Sequence, residues 1–565
     1  MNLEYYDRAN PDLLKLLPAN AEIIVEIGCG TGALGQQYWQ INPHGRYLGV
    51  DNYSEAVQIA AQRLDSAIAA DGETVDFSQL GLTPESIDCL VYGDVLEHMV
   101  DPWQALQKHI QWLKPGGEVL ACIPNIQHWS AIVNLLRGRW DYQERGLCDR
   151  THLRFFTLDS IKKLFSQAGL QIDEIRPRGR QNEQFQQFQQ IMAPVLQQLN
   201  ISAEQFSTQT SALQYIVRAV KAQAPPPRVL VQTTFGAPDV CGHARVLLPD
   251  RFLGTIPGVR TVSGEAARSI NVAKPQEEKI FIWQRRILEY PDSLQSLKTL
   301  LQAGYLIVAE IDDDPLRRPE YAANHFLSYR GCHCVQTSTE PLAEYLRQHN
   351  PNVAVFANQI AFLPPPRTYQ QQPVTIFFGA VNREEDAEPI MDPLNRILME
   401  YGEQVQVKVI HDRQFFDRLK TPYKEFTPFC DYERYQAILR TCDIGLLPLA
   451  PTRMNSMKSD LKFLEHAAHG VLAIASPTVY QQSIVEGKTG LLYNSPAELE
   501  TKLRQAIDHP TWRRQMATNA YEWVKQNRLL CQHYRQRYNW YQQMRADLPR
   551  LNRELYSRVP ELFEK

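Results

Sequence analysis

The chain has 565 residues, with 59 Lys and Arg against 63 Asp and Glu and a formal net charge of -4, so no global field draws it toward nucleic acid or anionic lipid. No apolar run approaches a membrane span, and the start, MNLEYYDRANPDLL, lacks the basic and apolar regions of a signal peptide. The expectation is a cytoplasmic protein with no nucleic-acid partner and at most a peripheral membrane contact. At about 150 residues per domain, the length implies three or four folding units. The ten cysteines are scattered as free buried thiols are, not clustered as a disulfide framework. Cys332, His333 and Cys334 lie in the strand-like GCHCVQTST, where alternation sends successive side chains to opposite faces and argues against a metal site.

From 22 to about 180, short apolar strands (EIIVEIG, GRYLGVD, SIDCLVYGD, GGEVLACIPN, LQIDEIRP) alternate with helix-like segments, the pattern of a parallel sheet wrapped by helices. A glutamine-rich helix over 183–200 carries Phe185, Phe188, Met192, Val195 and Leu199 at helical spacing, with a kink expected at Pro194. LQYIVRAVKA at 213–222 completes the first sheet, and AQAPPPR follows as a stiff linker.

The alternation restarts at Arg228. RVLVQTT, KIFIWQR, GYLIVAEIDDD, CHCVQTS and VAVFANQ form one set of strands; VTIFFGAV, VQVKVIHD, DIGLLPL and VLAIAS form another, beyond a proline-rich joint near 362–373. Two such units joined by a hinge form a cleft, where ligands of doubly wound sheets bind. The expected divisions are 1–222, a linker at 223–228, then 229–368, 369–545 and a tail at 546–565.

The strand EIIVEIG runs into glycines 28, 30 and 32 and then a helix. Glycines let the chain turn tightly and let backbone N–H groups approach a nucleotide-like ligand. Gly30, Gly32 and Gly35 also satisfy GxGxxG, with Asp51 about twenty residues on, so this stretch alone leaves a dinucleotide-binding dehydrogenase open. His98, just past the fourth strand, is the candidate general base, with His128, His152 and Arg154 as candidate acceptor contacts.

VEIGCGTG, GVD at 49–51, YGDVLEHMVDP at 92–102 and LKPGGEVLACIPN at 113–125, in that order, resemble the class I S-adenosylmethionine-dependent methyltransferases. DRTHLRFFT at 149–157 is similar to the branch that includes quinone O-methyltransferases. The resemblance implies a Rossmann-like sheet with S-adenosylmethionine as cofactor. Glu26 would face the donor's methionine part, Gly28, Gly30 and Gly32 would floor it, and Asp51 would bind the ribose hydroxyls. Asp71 would lie near the adenine, and Asp94 would line the donor pocket.

In NSMKSDLKFLEHAAHG at 455–470, Asn455 or Ser456 can cap a helix that Gly470 ends. Lys458, Lys462 and Glu465 fall at i, i+4 and i+7, one face on which cations meet a diphosphate and a carboxylate meets a ribose. With DIGLLPL before it and GVLAIASPTVYQQSIVEGKTGLLY after it, the region is similar to the C-terminal half of the two-Rossmann-domain (GT-B) glycosyltransferases that use nucleotide-sugar donors. The family's KxxE element maps onto Lys462 and Glu465, but Met457 stands where an acid eight residues before Glu465 belongs. Arg383 matches a basic phosphate contact. Gly236, His243 and Arg245 follow the first strand of the other half and are candidates for a loop closing on the donor.

Asp312, Asp313 and Asp314 resemble a metal-binding DxD, but they lie away from the Lys462 element, and an acceptor-side or structuring role is expected in place of metal. The basic, aromatic-rich stretch after 511 reads as a helix crossing back between the two halves. Together these features describe an α/β protein with a methyltransferase sheet followed by two Rossmann-like domains. They imply a bifunctional transferase acting on a small-molecule or glycan acceptor, with no metal expected. The alternative is a methyltransferase whose second part is a degenerate, glycan-binding module.

Overall fold

The computed structural model describes residues 7–179, 182–236, 238–265, 272–369, 373–381 and 383–564. It divides into two compact units: Met1–Pro227 with Gly254–Val259, and Arg228–Leu253 with Arg260–Lys565.

The first unit is built on a seven-stranded sheet of order β3-β2-β1-β4-β5-β7-β6. Its strands are β1 (Ile23–Ile27), β2 (Arg46–Asp51), β3 (Ser66–Ala69), β4 (Ile87–Gly93), β5 (Leu113–Pro124), β6 (Gln171–Arg178) and β7 (Gln214–Val220). β1 sits between β2 and β4, parallel to both, and Ile24, Val25 and Ile27 are buried, as a strand covered on both faces requires. The stretch expected over 213–222 forms β7, inserted between β5 and β6 and antiparallel to each. β7 also carries Arg218, whose Nε donates to Asp173 of β6 at 2.6 Å with both side chains almost wholly buried. The Gln-rich segment is a helix, Glu183–Gln198, that tolerates Pro194 inside it and buries Phe185, Phe188 and Leu196.

The second unit holds two six-stranded sheets, β13-β12-β11-β10-β8-β9 and β16-β15-β14-β17-β18-β19. The first contains β8 (Val229–Phe235), β9 (Val259–Gly264), β10 (Glu278–Gln284), β11 (Leu306–Glu310), β12 (Cys334–Thr337) and β13 (Val353–Val355). The second contains β14 (Val374–Gly379), β15 (Val405–Ile410), β16 (Lys424–Thr427), β17 (Ile444–Leu447), β18 (Leu472–Ala475) and β19 (Leu491–Leu492). Every pair in the second sheet is parallel. Three of these strands escape a reading by apolar runs: β9 (VRTVSG) and β16 (KEFT) are polar, and β19 has two residues.

After helix Pro510–Asn527 the chain turns at 528–529 into helix Leu530–Ala546, whose Tyr541 hydroxyl donates to Gln336 of β12 at 2.7 Å. Residues 546–564 are no loose tail. Helix Leu548–Arg558 buries Leu551 and Leu555, Leu562 joins them, and Arg558 donates to the carbonyls of Arg330 and Cys332. Cys332, His333 and Cys334 are wholly buried; His333 accepts from the Ile307 N–H at 2.9 Å and meets Asn552 at 3.0 Å, a structural role. The cysteines among the described residues are unpaired, and no described helix is long and apolar enough to cross a membrane.

Candidate functional sites

In each sheet the loop after the first strand opens where the strand order reverses, the place where open α/β sheets bind ligands. After β1, Gly28, Gly30 and Gly32 have φ of +74°, +53° and +77°, backbone that L side chains adopt at a cost. A Cβ on Gly28 would lie 2.1 Å from Val95 Cγ2. Asp51, the last residue of β2, accepts from the Gly30 N–H at 2.8 Å and the Tyr53 N–H at 2.9 Å, so it shapes the loop it would share with a ribose.

Glu26 is buried on β1 and accepts from the Tyr47 hydroxyl at 3.0 Å; burial pushes its carboxyl up to about 8. Asp71, past β3, is exposed and accepts from the Glu73 N–H at 2.9 Å. Asp94 follows β4 with φ +56°, bonded by Gln214 and by Cys122 Sγ; burial raises its carboxyl. These residues lie at the C-terminal edges of β1–β4, the edge from which the glycine loop rises.

His98 ends the short 3-10 turn Leu96–His98. Its Nδ1 meets the Thr151 carbonyl at 3.1 Å, while His152 Nδ1 meets the Leu147 carbonyl at 3.3 Å. Donation by each Nδ1 leaves each Nε2 as a lone pair. The two rings stand edge to face, 4.8 Å apart. Glu97 beside them is 1% exposed, and neither carboxylate oxygen has a hydrogen-bond partner; burial holds its carboxyl well above the usual range. Ligand atoms of Glu97, His98 and His152 all lie within 4.8 Å of one another. The group can accept a proton, and it has the composition and spacing of a divalent-cation site, which the sequence reading did not expect. Glu97 was missed because a buried carboxylate has no local sequence signature. His128 caps helix Trp129–Leu136 through Ser130, and Arg154 bonds the Val100 carbonyl. Trp140 and Phe155, 5.2 Å apart, continue from His152 as an aromatic wall.

In the second unit the expected single helix face is broken. Thr452 caps a short helix, Arg453–Ser456, and a second helix runs Leu461–Ala468. Lys458 therefore lies between helices, not on the face of Lys462 and Glu465, and Asn455 caps nothing: its amide donates to Asp386 at 2.9 Å. Asp460 precedes the second helix, and both its oxygens are held by Arg528, at 2.7 and 2.9 Å. Glu465 is buried, accepting from the Tyr435 hydroxyl at 2.9 Å and from Tyr432; Lys462 Nζ lies 3.0 Å from the Tyr435 oxygen and 3.5 Å from Glu465.

Met457 is buried in the core of the other half, and its carbonyl accepts from Thr339 at 2.8 Å. A thioether fits that apolar pocket where an acid would be stranded. Gly236 is exposed just past β8, and a Cβ there would come within 3.4 Å of the Arg285 carbonyl. His243 stacks on Tyr432 at 5.3 Å. Arg245 is buried against Glu310 at 2.7 Å and donates to Asn358 at 3.0 Å, a structural tie. Arg383 pairs with Asp386 at 3.0 Å.

Comparison with known proteins agrees with this division. Residues 3–175 match a family described as a methyltransferase domain, and residues 387–543 match one described as glycosyl transferase-like. The chain thus carries a methyltransferase domain near its N-terminus and a glycosyl transferase-like domain near its C-terminus. Over 112 residues it is 36% identical to an uncharacterised 37.1 kDa protein of transposon TN4556 from Streptomyces fradiae, covering 20% of this chain and 32% of that protein. Over 155 residues it is 25% identical to the ubiquinone biosynthesis O-methyltransferase of Cupriavidus pinatubonensis, covering 27% and 61%. The chain spans less than two thirds of the length of either relative. Among solved structures, Anabaena Alr3699/HepE, crystallised with UDP and glucose, is matched at 13% identity and a TM-score of 0.42, over 56% of this chain and 100% of that one.

Proposed function

We propose that the first unit transfers a methyl group from S-adenosylmethionine to a hydroxyl of a small-molecule or glycan acceptor, and that the second unit transfers a glycosyl group from a nucleotide sugar. The fusion suits one pathway, such as polysaccharide or glycolipid biosynthesis in the cytoplasm. The observation that carries the first half is the glycine loop after β1, left-handed at three glycines and tied to Asp51, with Glu26 near the end of β1 and Asp94 just past β4. S-adenosylmethionine supplies an activated methyl group; Glu26 and Asp51 would hold its charged and hydroxyl groups. The chain's remaining task is to orient the acceptor and remove its proton, a role suited to the Nε2 of His98.

For the second half the supporting feature is Lys462 and Glu465 one turn apart on helix Leu461–Ala468, with Arg383 on the loop after β14. A second reading, a glycan-binding module without transferase activity, is favoured by Met457, whose burial removes a contact to the donor sugar. Calorimetric titration of the full chain with S-adenosylhomocysteine, NAD and UDP, GDP or ADP tests both halves. S-adenosylhomocysteine and one nucleoside diphosphate are expected to bind. Binding of NAD in place of S-adenosylhomocysteine refutes the first assignment, and binding of no nucleoside diphosphate moves the second unit to the glycan-binding reading.

A further inference from the structure

The three aspartates after β11 do not face a vacant cation site. Each faces a cation of the protein itself. Asp312 pairs with Arg285 at 2.5 Å, and Asp314 pairs with Arg453 at 2.7 Å while capping the Leu316 N–H at 3.0 Å. Asp313 takes two: Arg317 at 2.6 Å, from its own half, and Lys458 at 3.4 Å, from the other. Arg285 lies 4.0 Å away on the same side. The field at these carboxylates is positive, which suits an anion and repels a divalent cation.

The pairing leaves a definite remainder. Arg383 has Asp386 and Arg285 has Asp312, but Lys458 and Arg317 have Asp313 as their shared carboxylate. Take Asp313 away and two cations from opposite halves face one another across its place, with Arg383 close enough to Lys458 to help depress the ammonium's pKa, a shift led by burial. Two such cations match the charge of a diphosphate. Arg383 is also a residue that the proposed donor site would use.

We infer that Asp313 is an internal competitor for the nucleotide sugar's diphosphate: its carboxylate occupies the anion site of the second unit and ties the halves together until the donor displaces it. This rests on the nucleotide-sugar reading of that unit and adds a gate to it. The gate follows from the geometry, because the anion that Lys458 holds belongs to the opposite half. Exchanging Asp313 for diphosphate removes one tie between the halves, while Asp314–Arg453, Thr339 to the Met457 carbonyl at 2.8 Å and Asn358 to Ser459 at 2.7 Å remain to restore closure. A carboxylate of one charge is a weaker partner for two cations than a diphosphate, so the donor wins at a reduced apparent affinity.

The test is calorimetric titration of the full chain with UDP, GDP and ADP, comparing wild type with Asp313→Asn, Asp313→Ser and Arg453→Ala, each checked by thermal unfolding. The Ser variant stands in should the Asn variant fail to fold. Loss of the competitor is expected to tighten the nucleoside diphosphate that binds by about tenfold or more, the scale of a charge-assisted contact. Arg453→Ala, which cuts a tie between the halves without freeing an anion site, is expected to leave affinity within about twofold. Equal tightening by Arg453→Ala overturns the inference in favour of a general loosening of the cleft. Unchanged or weaker binding in the Asp313 variants, with wild type still binding, overturns it and leaves the donor reading standing. Binding by neither wild type nor variants ends both.

Discussion

Around the glycine loop of the first unit, polar groups are left over: both oxygens of the buried Glu97 lack partners, and Asp51 holds its loop with only part of its hydrogen-bonding capacity. In the cleft of the second unit nearly every charge is spent on a neighbour. Lys458 has Asp313, Arg383 has Asp386, and Glu465 has two tyrosines and Lys462. A site with unspent groups is organised around something it lacks, because an unpartnered buried carboxylate costs free energy that only a proton, a cation or a ligand recovers. A site whose groups satisfy one another binds by exchange, and its affinity reports the strength of the contacts it gives up.

The largest effect separating the two regimes is expected at His98. His98→Ala should lower the maximal methylation rate by about a hundredfold or more while leaving S-adenosylhomocysteine affinity nearly intact, since no donor contact is removed. Repeating the wild-type assay after dialysis against EDTA distinguishes the imidazole's two uses. A rate unaffected by chelation marks a base; a fall to the level of the variant marks a ligand held with Glu97 and His152. Loss of donor binding in His98→Ala would assign the residue to the loop's architecture instead. Next in size is Asp51→Ala, expected to weaken S-adenosylhomocysteine by about 1.5 to 3 kcal/mol, the scale for hydrogen bonds to a charged group. Because Asp51 also holds the Gly30 and Tyr53 N–H groups, the loss should sit at the upper end of that range. An unchanged affinity in the folded variant places the ribose contact elsewhere.

Much of this was legible where chemistry is written in consecutive residues. The strands β1, β2 and β4 are apolar runs ending at glycine or a carboxylate, β5 is an apolar run ending at Pro124, and their motifs in order were enough to favour a methyltransferase over a dehydrogenase. What stayed hidden depends on contacts between distant residues. Nothing in KSDLKFLEHAAHG says that Asp460 will be held by Arg528, sixty-eight residues on, or that the helix will start only at Leu461 and leave Lys458 before it. Leu551 and Leu555 stand one helical turn apart, so the buried face of helix Leu548–Arg558 is legible in periodicity, whereas Leu562, past Pro560, is not. Glu97 could not be read at all, since burial without a partner is a property of the fold.

In the second unit, Lys462→Ala is expected to weaken the bound nucleoside diphosphate by about 1.5 to 3 kcal/mol through loss of a charge-assisted contact. The same titration in EDTA should give the same affinity, because the cations of the cleft are its own side chains. A dependence on added divalent cation would reverse the assignment of Asp312, Asp313 and Asp314. No change on removing Lys462 would show that its seat over the Tyr435 ring, at 4.3 Å, is its whole function.

The smallest effect is the one most specific to the first unit's buried carboxylates. Burial raises Glu26 to about 8, from 4.5 in an exposed chain. Between those values the folded protein holds a proton that the unfolded chain releases, so this group's contribution to stability is complete below about pH 4.5 and is lost as pH rises toward 8. A donor presenting the ammonium of its methionine part to Glu26 favours the ionised form and must expel that proton. Binding of S-adenosylhomocysteine near pH 7 is therefore expected to release up to about one proton, read as the slope of calorimetric enthalpy against the ionisation enthalpy of the buffer. Glu26→Gln should flatten the slope, since an amide has no proton to give. A flat slope in the wild type means that Glu26 does not meet the donor's ammonium, and a slope that survives in Glu26→Gln assigns the proton to another group, Asp94 first among them, whose carboxyl burial also raises.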